Sequence, residues 1–451
     1  MSRFSPYLEL KRTNVDYLKE APAHWSEMQL CRAVSWNDEV VQEGLDDEEK
    51  IRYVDISSVS HMEGITQATE MKFADAPSRA RRKAKEGDVV VSTVRTYLKA
   101  VARVTHDYRD CVFSTGFAVI RARPTAVHSD YLEWLMLNEL LIQSIEAHSE
   151  GLSYPAINAS ALVKLKTVFP PINEQAQISS FLNRETTRID TLIAKKTRFI
   201  ELLKEKRLAV ITKAVTKGLD DSVAMKDSRV KWLGLVPNHW VVAQLSRVTQ
   251  SRCDGPFGSG LKSHHYTSDG VRVVRLQNIG FAEFKNDNAA FVSYEHWEET
   301  LGRGHAVTPG DLLIAGLGDD NNPLGRACTA PEEIGDALVK ADCYRFRLDP
   351  QKAFSKFFAF LLSATSKAEC GFMATGATRD RLNLGLASSR VVAFPPSVEE
   401  QKEIVAYIES KVRQINLLLS RTERSIELLK EHRAALITAA VTGKIDVREA
   451  A

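Results

Sequence analysis

At 451 residues the chain is long enough for two or three domains, and its 44% hydrophobic and 26% charged content describes an ordinary soluble protein with real cores. The net charge of +2 neither demands nor excludes nucleic acid, so any DNA-binding face has to come from local clustering. Six scattered cysteines (Cys31, Cys111, Cys253, Cys328, Cys343, Cys370) form no CxxC pair. No apolar run approaches a membrane span, and the N-terminus MSRFSPYLELKR lacks a signal-peptide core. The expectation is a cytoplasmic protein with free thiols and no membrane.

The chain opens on Val15–Val34, VDYLKEAPAHWSEMQLCRAV. A basic run follows: Arg79, Arg81, Arg82, Lys83 and Lys85 precede a Gly87-Asp88 turn, a strand over Val89–Val91, and then Arg95, Tyr97 and Lys99. Phe117–Arg123 alternates as a strand, Tyr131–Ile145 reads as an apolar helix, and a Gly-rich loop leads to a strand ending in Phe-Pro-Pro. From Phe169 to Asp220 the pattern becomes one long helix. Its double proline and Glu174-Gln175 mark the start, where the helix dipole favours acid, and Gly218 marks the stop. Leu182, Ile189, Lys196, Leu203 and Val210 share one seven-residue track, the mark of a coiled-coil seam. Residues 218–229 are polar and read as a linker.

The chain then repeats itself, and such repeats identify structural units. Val230–Val248, VKWLGLVPNHWVVAQLSRV, matches the opening stretch at Pro22, His24, Trp25, Leu30 and Arg32. Gly310-Asp311 precedes a strand as Gly87-Asp88 does, Tyr344–Leu348 alternates, and Phe354–Ala364 is apolar. Phe394–Asp446 repeats the long helix, with the track Ile408, Ile415, Thr422, Leu429 and Leu436. Lys196 and Thr422 are the polar members of the two tracks, near mid-helix. Roughly 42 residues make each helix a rod of about 60 Å. The helices stayed alike while the globules between them drifted apart, as expected of a shared scaffold whose globules read different ligands.

Enzymatic signatures do not assemble. Gly255–Ser263 imitates a phosphate loop, but Leu261 separates the final glycine from Lys262. Asn322-Pro323-Leu324 falls short of an amino-methyltransferase loop, no glycine fingerprint for S-adenosylmethionine is present, and Glu48-Glu49-Lys50 reads as a solvated acidic loop. His264 and His265 are adjacent, a poor arrangement for one metal. What remains are sets suited to phosphates and base edges. The first globule offers the residues from Arg79 to Lys99 already named. The second offers Lys262, Ser263, His264, His265 and Tyr266, then Arg275, Gln277 and Asn278, then Arg379, Arg381 and Asn383.

Taken in order and twice over, PAHW and PNHW, GPFGSGLKSHHY followed by RLQNI, Gly87-Asp88 followed by Arg95, and FPP-to-EQ leading into a long helix resemble the specificity subunit of type I restriction–modification systems. The resemblance covers nearly the whole chain. It implies an α+β protein with an internal duplication and pseudo-twofold symmetry, in which two mixed α/β target-recognition globules are separated by two long antiparallel coiled-coil helices. Its parts would be a first recognition domain over 1–166, a spacer helix over 167–217, the linker, a second recognition domain over 230–392 and a second spacer helix over 393–446. It implies a non-catalytic chain without cofactor or metal of its own. Its partners would be double-stranded DNA, two modification subunits that use S-adenosylmethionine, and restriction subunits that use ATP and Mg. Each globule would read one half of a bipartite asymmetric site. The competing reading is a coiled-coil adaptor that bridges two proteins and binds no DNA.

Overall fold

The computed structural model describes residues 4–448 except 43, 45, 258, 259, 320 and 371–380. The chain divides into two compact units, Met1–Thr197 with Glu423–Ala451, and Arg198–Thr422. Two continuous helices, Ile172–Lys217 of 46 residues and Val398–Val441 of 44, each give part of their length to each unit. None of the described helices is long and apolar enough to cross a membrane.

In the first unit, one four-stranded sheet has the order Val101–Arg103, Val89–Ser92, Phe117–Ala122, Val34–Trp36, antiparallel throughout. A second has the order Thr69–Lys72, Lys50–Val54, Val112–Ser114, Ala80–Lys83, and its central pair is parallel. The second unit repeats this layout with one extra edge strand in its mixed sheet. Its antiparallel sheet runs Ala327–Thr329, Leu312–Ala315, Cys343–Leu348, Thr249–Cys253. Its mixed sheet runs Tyr266–Thr267, Phe291–Val292, Val271–Val274, Ala337–Val339, Ala306–Val307, and Val271–Val274 with Ala337–Val339 is again the parallel pair. Val89, Val91, Ala118 and Ile120 turn one sheet face toward the large core around the long helices; Val90, Phe117 and Val119 turn the other into a smaller core under the mixed sheet. Alternation with period two allows one strand to serve both.

Each Gly-Asp pair is a turn with a buried carboxyl group behind it. Gly87 and Gly310 take positive φ of 89° and 82°. Asp88 then receives Arg121 in a two-pronged pair (2.8 and 2.7 Å) and caps the Lys85 N–H at 2.7 Å. Asp311 receives Arg347 twice at 2.9 Å and the Thr308 N–H at 2.8 Å. The apolar stretch Tyr131–Ile145 is two helices, not one: Ser129–Met136 and Glu139–Ala147. Asn138 breaks them, its buried side chain capping the second by accepting from the Leu140 N–H at 3.1 Å. Its counterpart in the second unit, Ser355–Cys370, is a single helix.

Both long helices begin and end against a tryptophan. Trp25 is fully buried, and its indole donates to Glu174 Oε1 at 3.0 Å in the helix's first turn. The same carboxyl accepts from the Tyr7 hydroxyl at 2.6 Å and bonds His24 Nε2 at 2.7 Å. Burial and the neighbouring Glu174 carboxyl push the Tyr7 phenol far above its ordinary range. Gly443, which ends the other long helix with φ 71°, lies against Pro22 and Trp25; a Cβ there would meet Pro22 Cδ at 2.3 Å, so only glycine fits. In the second unit Trp240 donates to Glu400 at 3.0 Å, His239 lies 3.1 Å from both its oxygens, and a Cβ on Gly218 would sit 3.6 Å from the Trp240 ring. Gln175 and Gln401 finish each junction. Gln175 donates to Pro170 and Ala126 carbonyls (2.9 and 3.1 Å) and accepts the His128 N–H (2.8 Å). Gln401 does the same with Pro395, Lys352 and the Phe354 N–H. The Glu-Gln pair therefore holds the globule onto the helix, a role beyond satisfying the helix dipole.

Along the helices the apolar track is buried at Leu182, Ile189, Leu203, Ile408, Ile415 and Leu436, and half-buried at Val210 and Leu429. Ile211 is the buried residue beside Val210, as an ideal helix drifts from a strict seven-residue repeat. In the first unit Asp190 pairs with Arg433 at 3.1 Å; in the second Arg207 donates to Asn416 at 3.1 Å. Lys196 is half-exposed in the first unit. Thr422 is buried in the second, its hydroxyl returned to the Leu418 carbonyl at 2.7 Å.

The two junctions differ in ways that predict a ranking. Glu174 serves three donors and is buried, whereas Glu400 serves two and is partly exposed. Stranding a buried donor costs about 1–3 kcal/mol. Glu174→Ala is therefore expected to lower stability by about 3 kcal/mol or more, and Glu400→Ala by about 1–2 kcal/mol. Denaturant unfolding followed by tryptophan fluorescence checks this; equal losses would contradict the ranking.

Candidate nucleic-acid interface

In the first unit the basic run forms the edge strand Ala80–Lys83 of the mixed sheet and its flanks. Alternation buries Ala80 and half-buries Arg82 while Arg81 and Lys83 face solvent. Arg81 stacks over the Phe73 ring at 4.9 Å. Arg79 is engaged with Asp55 (2.8 Å) and the Tyr53 hydroxyl (3.2 Å), and Lys85 with Glu39 (2.8 Å). Lys85 and Arg121 together hold the Glu39 carboxyl below its usual range.

A single turn stitches this run to the later cluster. Thr115 N–H donates to the Arg79 carbonyl at 2.7 Å, and the Gly116 carbonyl accepts the Thr93 N–H (2.8 Å) and hydroxyl (2.9 Å). A Cβ on Gly116 would meet the Ile56 Cδ1 methyl at 2.6 Å and the Val94 Cγ2 methyl at 3.1 Å, so a larger residue there would have to displace both side chains. Past Thr93 the chain arches through Thr96–Leu98, with Arg95 and Lys99 both in the left-handed region (φ 50° and 51°). Arg95 and Tyr97 are exposed, and Lys99 is half-exposed.

The second unit spreads its predicted residues over three places. Lys262 starts the turn Ser263–His265; the His264 and His265 rings lie 4.1 Å apart, and His296 lies 4.1 Å from His265. Burial and the neighbouring imidazoles hold the His265 pKa below its ordinary value. Tyr266 enters the mixed sheet, with Lys340 above its ring at 5.7 Å. Arg275 reaches the Asn288 carbonyl, and Gln277 is exposed. Asn278 is buried. Its side chain accepts the Arg275 N–H at 2.9 Å and donates to the Lys285 and Asp287 carbonyls at 2.9 and 3.3 Å. Placed so, it shapes the loop and has no edge to offer a base.

Arg381 pairs with Asp342 at 2.8 Å, 6.0 Å from the Phe257 ring, and Asn383 caps the helix Leu384–Ser389 through the Leu386 N–H at 2.8 Å. Arg379 falls outside the described residues. The glycine that imitated a phosphate loop has a packing reason: a Cβ on Gly255 would lie 2.1 Å from the Lys340 carbonyl carbon. Two fully or largely buried arginines escaped the sequence reading. Arg390 is fully buried between Glu369 (2.8 Å) and the Gly325 and Leu362 carbonyls, and Arg326 bonds the Ile279, Leu317 and Leu276 carbonyls. No local pattern distinguishes them from surface arginines. Among the described residues no cluster of His, Cys, Asp and Glu is arranged to hold a metal.

No protein-family model matches the chain. It is 21% identical to the type I restriction enzyme MjaVIII specificity subunit of Methanocaldococcus jannaschii, over 67% of this chain and 68% of that one. A provisionally assigned MjaX specificity subunit of the same archaeon is 24% identical over 95% of both chains. The EcoBI specificity subunit of Escherichia coli is 23% identical over 62% and 60%. Among solved structures, a chain of a type I restriction–modification system covers 94% of this chain and 99% of itself with a TM-score of 0.70 at 20% identity. The HsdS subunit of Thermoanaerobacter tengcongensis covers 94% and 98% with a TM-score of 0.55, also at 20% identity. Sequence and fold converge: the chain is a homologue of the type I restriction enzyme specificity subunits.

Proposed function

We propose that this chain is the sequence-specific DNA-recognition subunit of a type I restriction–modification complex. The observation that carries the reading is a match over nearly the full length of both chains, in sequence to a specificity subunit and in fold to an HsdS subunit and a chain of a type I restriction–modification system. On this reading the chain is an internal duplication with two recognition globules, each reading one half of a split asymmetric site. Matching strand orders and the paired Trp–Glu junctions support the duplication. The helix contacts within each unit support an antiparallel pair of spacer helices. Basic side chains displayed on an edge strand and its neighbouring loops suit a duplex backbone, and exposed side chains beside them suit base edges.

The chain itself is not a catalyst. Methyl transfer belongs to two modification subunits that carry S-adenosylmethionine, and ATP- and Mg-dependent cleavage belongs to restriction subunits. All of them act in the cytoplasm on the DNA this chain selects.

The test compares the purified chain alone with the chain plus its modification subunit, on a duplex carrying the cell's methylated motif. Motif-dependent, salt-sensitive binding and methylation are expected only of the complex. Robust methyl transfer by the lone chain would overturn the division of labour. A complex that binds no DNA would favour the adaptor reading.

A further inference from the structure

The first globule carries an exposed aromatic edge that its own packing does not use. Tyr97 and Leu98 are 52% and 44% exposed on the arch after Thr93, and Leu152 and Tyr154 are 105% and 66% exposed on the loop before the Lys166–Phe169 strand. The two loops are fastened to one another. Val94 bridges Ala156, the Ile157 N–H donates to Thr93, the Thr96 hydroxyl meets Ser149 Oγ at 3.0 Å, and Arg95 stacks over Tyr154 at 5.0 Å. Exposed large apolar side chains on two loops fastened together suit a binding face. The backbone points the same way. Arg95 and Lys99 sit at each end of the arch in a left-handed shape that glycine adopts freely and long side chains avoid, and strain of this kind gathers at functional sites.

Charge decides what the edge fits. Arg79, Lys85, Arg103 and Arg121 each have a carboxylate partner. Arg95 and Lys99 have none among the described residues. In the second unit a strand bridge joins Leu317 to Arg381 as Val94 joins Ala156, and there the cation is neutralised by Asp342. Two unneutralised cations flanking exposed rings match a polyanion with stacked bases.

We propose that these two loops are the reading edge of the first globule, with double-stranded DNA as the occupant. Arg95 and Lys99 neutralise phosphates, while Tyr97, Leu98 and Tyr154 contact bases. Tyr154 and Leu152 thereby join the site from a loop that no basic cluster marks. The assignment builds on the DNA-recognition reading above and gives it particular atoms.

The experiment uses the full chain in complex with its modification subunits and a duplex bearing the motif methylated by the wild type. Arg95→Gly with Lys99→Gly removes the charges and relaxes both left-handed positions. It should keep or raise the melting temperature while weakening binding to every duplex and lowering the slope of log affinity against log salt by about 2. Gain or retention of stability with loss of binding is a combination that a merely structural role would not give. Tyr97→Ala with Tyr154→Ala should weaken motif binding at least tenfold and binding to unrelated duplex by less than threefold. Both double variants binding the motif within twofold of wild type, at an unchanged salt slope, would overturn the edge assignment and leave the recognition reading standing. A wild-type complex with no motif preference would overturn the recognition reading and this assignment with it.

Discussion

A carboxyl group in the first turn of each long helix, bonded to a buried indole N–H, is the contact on which both units depend. Trp25 meets the start of one long helix through Glu174 and the end of the other through Gly443. Trp240 meets Glu400 and Gly218 in the same way. A helix start leaves N–H groups unsatisfied, and a buried tryptophan brings an N–H of its own that needs an acceptor. The Glu-Gln pair serves the second need and binds the neighbouring carbonyls of the globule. The lead-in strand, the globule's helices and the long helix then share one core in each unit. Lys11 and Lys226 complete the likeness, each donating to the carbonyl of its tryptophan.

Much of this was legible in the chain because the repeat exposes which residues the scaffold requires. The long helices, their glycine stops, the Gly-Asp turns and the lead-in Trp segments all stand where the pattern placed them. The mixed sheets were not legible. Their strands are two to five residues long, too short for a period-two signal, and their central pairing is parallel between segments far apart in sequence. The break at Asn138 was hidden because apolar residues continue on both sides of it, and only the side-chain cap reveals the boundary. Glu174 was visible, but its dominant partners lie roughly 150 residues away, so local reasoning about the helix dipole found the residue and not its task.

The same limits explain the uneven legibility of the candidate site. A sequence displays basic residues without saying which are already neutralised. Arg79, Lys85 and Arg381 turn out to be ion-paired, Arg326 is held by carbonyls in the interior and Arg390 by carbonyls and Glu369, and Arg95 and Lys99 remain open. Asn278 and Asn383 show the corresponding ambiguity for amides: both shape local backbone. Loops carry these differences because they are held on a fixed frame, as Gly116 holds the arch of the first globule, and can vary without disturbing the junctions.

The proposed function gives each globule its own half of the DNA motif, and exchanging one globule tests that proposal most directly. Residues 36–150 are replaced by the corresponding segment of a specificity subunit with a different motif, leaving Trp25, Glu174 and both long helices untouched. Methylated positions are then mapped across the genome of cells expressing the hybrid with its modification subunit. The account predicts a new sequence in one half of the motif and the original sequence in the other. A change in both halves, or in neither, would contradict it.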